Sequence, residues 1–296
     1  MKRASIPMIA LALVVASGGA NSSAQSIMRT AILYPVADST ITSTAPDIND
    51  GSSVLLTAGV GSDGLSTNRA LFQFDLSSIP TNATVSNAAV YLVGMTQPGF
   101  PTYFGLSVML TNWSEAGVTW NSRSLSTPWN APGGQSGVDF LSYVSAATVL
   151  NGPGFTNEFV DNGGDPDYGL AHDVQAWLSN PSQNFGWILA AIDETKAGSV
   201  ITLNSREAPL NQPVLAVGYT APFAPIVITA PGVANGQFCF TFHIETNHGY
   251  QILATDDIHG TNWQVRLVLD PSPVSQDAVF CDTVSSSNRF YRVRTE

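Results

Sequence analysis

The chain has 296 residues, of which 11% are charged, and its 11 Lys+Arg against 22 Asp+Glu leave a formal net charge of −11. A nucleic-acid binder needs clustered cations to displace counterions from phosphates, and an anionic membrane surface needs them too. Neither partner is expected here, and an acidic surface poor in lysine instead suits an extracellular protein kept soluble by its own charge.

The first element is a leader. Met1-Lys2-Arg3 is a short basic start, Ile6–Ala16 is almost wholly apolar, and small residues follow up to Ser22-Ser23-Ala24. That three-part layout is a secretory signal peptide over residues 1–24. The apolar run is too short to span about 30 Å of hydrocarbon, and no later stretch is long enough to cross a membrane, so no membrane insertion is expected.

From residue 25 onwards Thr, Val, Ser, Gly and Asn dominate, and no long face of helical period forms. Strands are expected at Ser53–Ala58, Arg69–Leu76, Ala88–Met95, Leu106–Thr111, Gly186–Ile192, Val200–Ser205 and Val214–Thr220. Val90-Tyr91-Leu92-Val93 is apolar on both alternations, which predicts a strand covered on both faces. One short helix is expected, capped by Asp173, with Val174, Trp177 and Leu178 on one face and Asn180-Pro181 ending it. Residues 221–236 contain Pro222, Pro225 and Pro231 and read as a linker or inter-domain strand. Beyond them Phe238, Phe240, Phe242 and Ile244 alternate with polar residues, which opens a small β-domain over residues 237–296. Cys239 and Cys281 can pair there in an oxidising compartment.

The run from Pro35 to Pro80 resembles a known family. Asn49-Asp50-Gly51, then Asn68-Arg69-Ala70-Leu71-Phe72-Gln73-Phe74-Asp75-Leu76, lead into Trp113-Ser114-Glu115 and Val118-Thr119-Trp120-Asn121. Trp129, Gly133-Gly134, Asp173…Trp177…Trp187 and Asn204-Ser205-Arg206-Glu207…Tyr219 follow in order. This is similar to the DNRLRE domain, also treated as carbohydrate-binding module family 96, over residues 34–219. The resemblance implies an all-β fold, an antiparallel jelly-roll-like β-sandwich with one short helix. The chain then reads as that sandwich over residues 25–220, followed by the small C-terminal β-sandwich. The last segment, with Phe290-Tyr291-Arg292-Val293, loosely resembles short β-domains that end secreted bacterial proteins. Such a domain can contact the cell envelope.

The function implied is polysaccharide binding without catalysis. Sugars lay their C–H faces on aromatic rings, so exposed aromatics in loops are the first candidates: Trp129, Tyr103 and Phe104. Arg69 and Arg206 can donate to sugar hydroxyls, although in a chain this poor in charge an arginine usually pairs with a carboxylate. Asp161, Asp165 and Asp167 on one loop, and Asp38 with Asn49 and Asp50, supply oxygen ligands suited to calcium, yet such runs are also simply turns. No cofactor is required. Glu115, Asp139, Glu158 and Asp161 are the carboxylates from which a hydrolase would draw, but no catalytic motif accompanies them. Arg29, Arg69, Arg123, Lys196 and Arg206 are the only cations between Gln25 and Thr220, so a uronic-acid polymer is repelled unless calcium bridges it or arginines cluster locally. Neutral glycans fit better. The alternatives are a structural or adhesive surface protein and a polysaccharide-degrading enzyme.

Overall fold

The computed structural model describes residues 27–161, 168–221, 226–245, 248–283 and 289–295. They fall into two compact units, Ser26–Pro222 and Phe223–Glu296. The leader expected over residues 1–24 lies outside the described residues.

The first unit contains strands β1 (Ile27–Leu33), β2 (Pro35–Thr42), β3 (Leu55–Val60), β4 (Thr67–Phe74), β5 (Thr84–Val93), β6 (Tyr103–Val108), β7 (Ser122–Ser124), β8 (Thr127–Pro128), β9 (Ala146–Val149) and β10 (Thr156–Val160). Helix α1 (Leu170–Ser179) follows, then β11 (Trp187–Ala191), β12 (Ile201–Asn204) and β13 (Val214–Ala221). Two large antiparallel sheets result, and β7 and β8 pair separately as a two-stranded sheet. Of the two large sheets, the smaller has the order β1-β13-β5-β10; the larger runs β12-β3-β4-β11-β6-β9, with β2 also paired to β4. This is the all-β sandwich with one short helix that the sequence predicts.

Alternation explains the sandwich. Val90, Leu92, Leu215, Val217 and Phe159 point inward from the small sheet, and Leu56, Phe72, Leu106, Leu189 and Leu203 meet them from the large one in a single core. Helix α1 covers this core with Leu170, Val174, Trp177 and Leu178. Trp187, wholly buried, packs its ring 4.5 Å from that of Trp177 and 6.2 Å from that of Phe74.

The helix is not capped as its sequence implies. It begins three residues before Asp173, so Asp173 lies inside its first turn, where its buried carboxylate accepts the indole N–H of Trp187 at 2.7 Å. The carboxylate at the helix start belongs to Asp161, which accepts the Ala171 amide at 3.1 and 3.2 Å.

A second, outer core lies on the far face of the large sheet. Residues 109–140 fold back over Ile41, Leu71 and Ile188, burying Met109, Trp113, Val118 and Trp129 against them. The outer face of the small sheet is different. Met28, Ile32, Tyr34 and Val160 are exposed, and Tyr91 and Val93 are half-buried. The expectation that Val90–Val93 is covered on both sides is therefore corrected: only the Val90 and Leu92 side is buried.

The second unit consists of two three-stranded sheets. One is β14 (Ile228–Ala234), β15 (Gln237–Ile244) and β18 (Gln276–Thr283); the other is β17 (Gln264–Leu269), β16 (Tyr250–Thr255) and β19 (Phe290–Thr295). Phe238, Phe240, Phe242, Phe280, Tyr250, Ile252 and Tyr291 fill the space between them. Cys239 and Cys281 face each other across β15 and β18 and form a disulfide. Within 221–236, read from the sequence as a linker, lies strand β14. Pro231 is tolerated there because β14 is an edge strand and its register shifts between Thr229 and Gly232.

Candidate functional site

The arginines singled out in the sequence hold loops to sheets. Arg69 stands on the outer face of β4. It grips the Glu194 carboxylate through Nε and Nη2, at 2.7 and 2.6 Å, and donates from Nη1 to the Gly133 carbonyl at 2.7 Å. The rings of Trp120 and Phe140 lie 5.3 and 5.6 Å from its guanidinium carbon. With 15% of its side chain exposed, Arg69 pins the loop of residues 133–140 to the sheet. Asp139, wholly buried, stabilises the same loop by accepting the amides of Asn130 and Gln135 at 3.0 and 2.7 Å.

Arg206 does the same at another loop. Its Nε and Nη2 reach the two Glu115 oxygens at 2.7 and 3.0 Å, and Nε lies 2.8 Å from Glu207. Its backbone amide donates to the Asp38 carboxylate at 2.7 Å, and the Asp38 amide donates to Glu115 at 2.7 Å. Asp38, Glu115 and Glu207 thus present carboxylate oxygens within 4.8 Å of one another, with Arg206 inserted among them. Burial pushes the Asp38 carboxyl up to about 7, aided by the nearby charges of Glu207 and Glu115 and opposed by the Arg206 amide.

This cluster replaces the grouping expected for a metal. Asp38 joins Glu115 and Glu207, not Asn49, whose side-chain amide is spent on the carbonyls of Glu115 and Val118 at 2.7 and 2.8 Å. On the other candidate loop Asp161 caps the helix, and Asp165 and Asp167 lie outside the described residues.

The three aromatic candidates separate. Trp129 is buried in the outer core and donates its indole N–H to the Thr119 carbonyl at 2.9 Å. Phe104 is 0% exposed, because alternation along β6 turns it into the main core. Neither can meet a ligand face in this arrangement, and reading them as exposed is corrected here: a loop-like sequence hid a strand at Phe104 and a folded-over layer at Trp129. Tyr103, next in the alternation, is 59% exposed. The structure does not bring Tyr103, Arg69 and Arg206 together on one surface element: they stand on β6, on β4 and in the loop after β12.

Two further aromatic groupings lie at the surface. Tyr143 and Tyr168 meet edge to face with centroids 4.6 Å apart. The other crosses the open face of the small sheet. Tyr34, 55% exposed, follows Leu33, the last paired residue of β1, which stands opposite Leu215; the next residue back along β13, Val214, pairs with Tyr91, which pairs with Glu158. Beside that row runs another, Ile32–Ala216–Ala89–Val160. Adjacent strands lie about 4.8 Å apart, so Tyr34 and Tyr91, two strands apart, are separated by about 10 Å. Val214 stands next to Tyr91, and Ala216 and Ala89 lie in the row alongside, between the exposed Ile32 and Val160. The Tyr91 phenol is hydrogen-bonded to Glu158, which holds its pKa above the ordinary value. The sequence signal for this face is the alternation of Met28, Thr30, Ile32 and Tyr34.

Comparison with known proteins gives one family. Residues 29–128 match the model of carbohydrate-binding module family 96. The motif resemblance to that family is thereby borne out over β1 to β8; the match does not extend to the second unit. No curated protein matches. Among solved structures the chain is similar to the beta-D-glucuronidase of Dictyoglomus thermophilum at 10% identity, over 94% of this chain and 44% of that one, with a TM-score of 0.19. The chain thus spans less than half of that structure's length, and a likeness this slight carries no argument.

Proposed function

We propose that this chain is a secreted, non-catalytic carbohydrate-binding protein that holds a polysaccharide on the open face of its small sheet. The observation behind this reading is the row Val214–Tyr91–Glu158 on an uncovered sheet face, with exposed Tyr34 just past the end of β1, in a chain whose matched family is one of carbohydrate-binding modules. The two tyrosines offer the apolar faces on which sugar rings stack, and Glu158 with the phenols supplies directional hydrogen bonds. The domain's negative charge favours neutral glycans.

The absence of catalysis is part of the proposal. Of the carboxylates from which a hydrolase would draw, Glu115 is tied to Arg206, Asp139 to loop amides and Asp161 to the helix start. Glu158 alone stands exposed, and a glycosidase needs two. Secretion is supported by the leader layout and by the disulfide, which persists in oxidising compartments.

We also propose that the cluster of Asp38, Glu115 and Glu207 does not need calcium. Arg206 already supplies positive charge to Asp38, Glu115 and Glu207, so a cation there would have to displace it. The melting temperature is expected to stay the same in calcium and in chelator; a rise of several degrees with calcium would show a metal site.

The experiment for the function is affinity electrophoresis and pull-down of the full chain against soluble and insoluble polysaccharides. Saturable retention by a neutral glycan, with no release of reducing ends, is the expected result. Retention by nothing across a broad panel would favour a structural or adhesive surface protein, with the second unit contacting the cell envelope. Release of reducing ends would make it an enzyme.

A further inference from the structure

A second surface, in the second unit, has a different chemistry. On β19 the side chains of Tyr291 and Val293 enter the core, which turns Arg292 and Arg294 to the opposite face. Successive residues on one strand face are about 7 Å apart, so the two guanidinium stems stand side by side. Elsewhere in this unit arginine is matched to carboxylate: Arg266 pairs with Asp282, and Arg289 with Asp256 and Asp282. Among the described residues Arg292 and Arg294 have no ion-pair partner. Arg294 is oriented through Nε and Nη2 onto the Gln251 side-chain oxygen, at 3.1 and 2.6 Å. The guanidinium of Arg292 lies over the Trp263 ring, 4.4 Å from its centroid, and its Nε is buried with no hydrogen-bond partner among the described residues.

The described residues beside the two arginines include apolar ones. Leu253 lies opposite both Arg292 and Val265 in the register and is buried; Val265 and Val268 are exposed. Two like charges held side by side repel one another. Desolvation and the neighbouring Arg294 both lower the pKa of Arg292. An anion docking between them relieves that repulsion, and a planar guanidinium fixed on an indole is pre-organised for a forked contact with an oxyanion.

We infer that Arg292 and Arg294, with Trp263 beside them, form a binding site for the pendant oxyanion of an acidic polysaccharide. The indole is placed to meet the sugar ring that bears the charged group, and Gln251 holds the second arginine in position. The two units would then have different tastes: a neutral stacking face on the first and an anion-reading face on the second. The inference rests on residues that the proposed stacking face does not use.

The test compares three forms of one polymer: neutral dextran, carboxymethyl dextran and dextran sulfate, each titrated against the full chain at low and high salt. At least one charged form is expected to bind saturably where neutral dextran does not, with affinity falling as salt rises. Whether the carboxymethyl or the sulfate form binds identifies the anion. Replacing Arg292→Gln is expected to weaken that binding about tenfold, the loss of a charge-assisted hydrogen bond. Should that variant fold poorly, Arg294→Gln, at an exposed position, reads the same site and is expected to weaken binding several-fold. Charged dextrans binding no better than the neutral polymer would overturn the inference, as would binding that both substitutions leave intact. Because Tyr34→Ala leaves this site untouched, failure here and failure of the stacking face are separately visible.

Discussion

At the scale of single residues, the charged groups that look functional in the sequence are fastenings. Arg206 binds Glu115 with both arms of its guanidinium while its backbone amide holds Asp38. Removing it leaves three carboxylates facing one another. Arg206→Ala is expected to lower the unfolding free energy of the first unit by about 2 kcal/mol, less than a fully buried pair because the site is partly exposed. Arg206→Lys should recover little, since a point charge cannot span Glu115. Denaturant midpoints check both. The raised pKa of Asp38 gives a pH dependence of definite sign. Between the ordinary aspartate value of 3.8 and about 7 the folded protein holds a proton that the unfolded chain does not. Stability from this group is therefore full below about 4 and is lost as pH rises through 7. Asp173, raised to about 6 by burial, acts in the same direction. The melting temperature should be higher at pH 5 than at pH 8, and Asp38→Asn should flatten that difference; a melting temperature that climbs towards pH 8 would contradict it. The sequence showed that Arg69 and Arg206 were unusual, and even which bland role they would fill. It could not show their partners, because Glu194 and Glu115 lie 125 and 91 residues away along the chain.

At the scale of elements, alternation was legible and coverage was not. Strands such as β4, β11 and β13 announce themselves through apolar runs between turns. Strands β1, β2, β10 and β18 do not stand out in the sequence as apolar runs bounded by turns, and β9 is only four residues long. Which sheet face is left open depends on where residues 109–140 lie, and that is a tertiary fact. Hence Trp129 looked like a loop aromatic and Tyr91 like core. The entry to β11 shows how tightly elements are matched. Gly186 has φ +76°, and a Cβ there would lie 2.0 Å from the Phe72 carbonyl oxygen on β4. Both the left-handed backbone and the close approach require glycine. Gly186→Ala is expected to cost at least about 3 kcal/mol, combining backbone strain with a forced shift of β4 against β11. A loss below 1 kcal/mol by chemical denaturation would mean that the contact yields easily.

For the whole molecule, the sequence predicted two β-units and an acidic surface, and these bound what the chain can meet. The first unit resembles a carbohydrate-binding module over residues 29–128 and offers one open sheet face; the second is knitted by its aromatic core and the Cys239–Cys281 disulfide. That disulfide closes a separation of 42 residues and constrains the unfolded chain accordingly. The central claim is that glycan lies across Tyr34 and Tyr91. It is tested most directly by calorimetric titration of a glycan retained in the panel into the full chain and into the variants Tyr34→Ala, Tyr91→Ala and Tyr103→Ala. The account predicts that each of the first two weakens binding about tenfold, in keeping with about 1–1.5 kcal/mol for an aromatic contact, and that Tyr103→Ala changes nothing. Full affinity in both Tyr34→Ala and Tyr91→Ala, or loss in Tyr103→Ala instead, would move the site to another face.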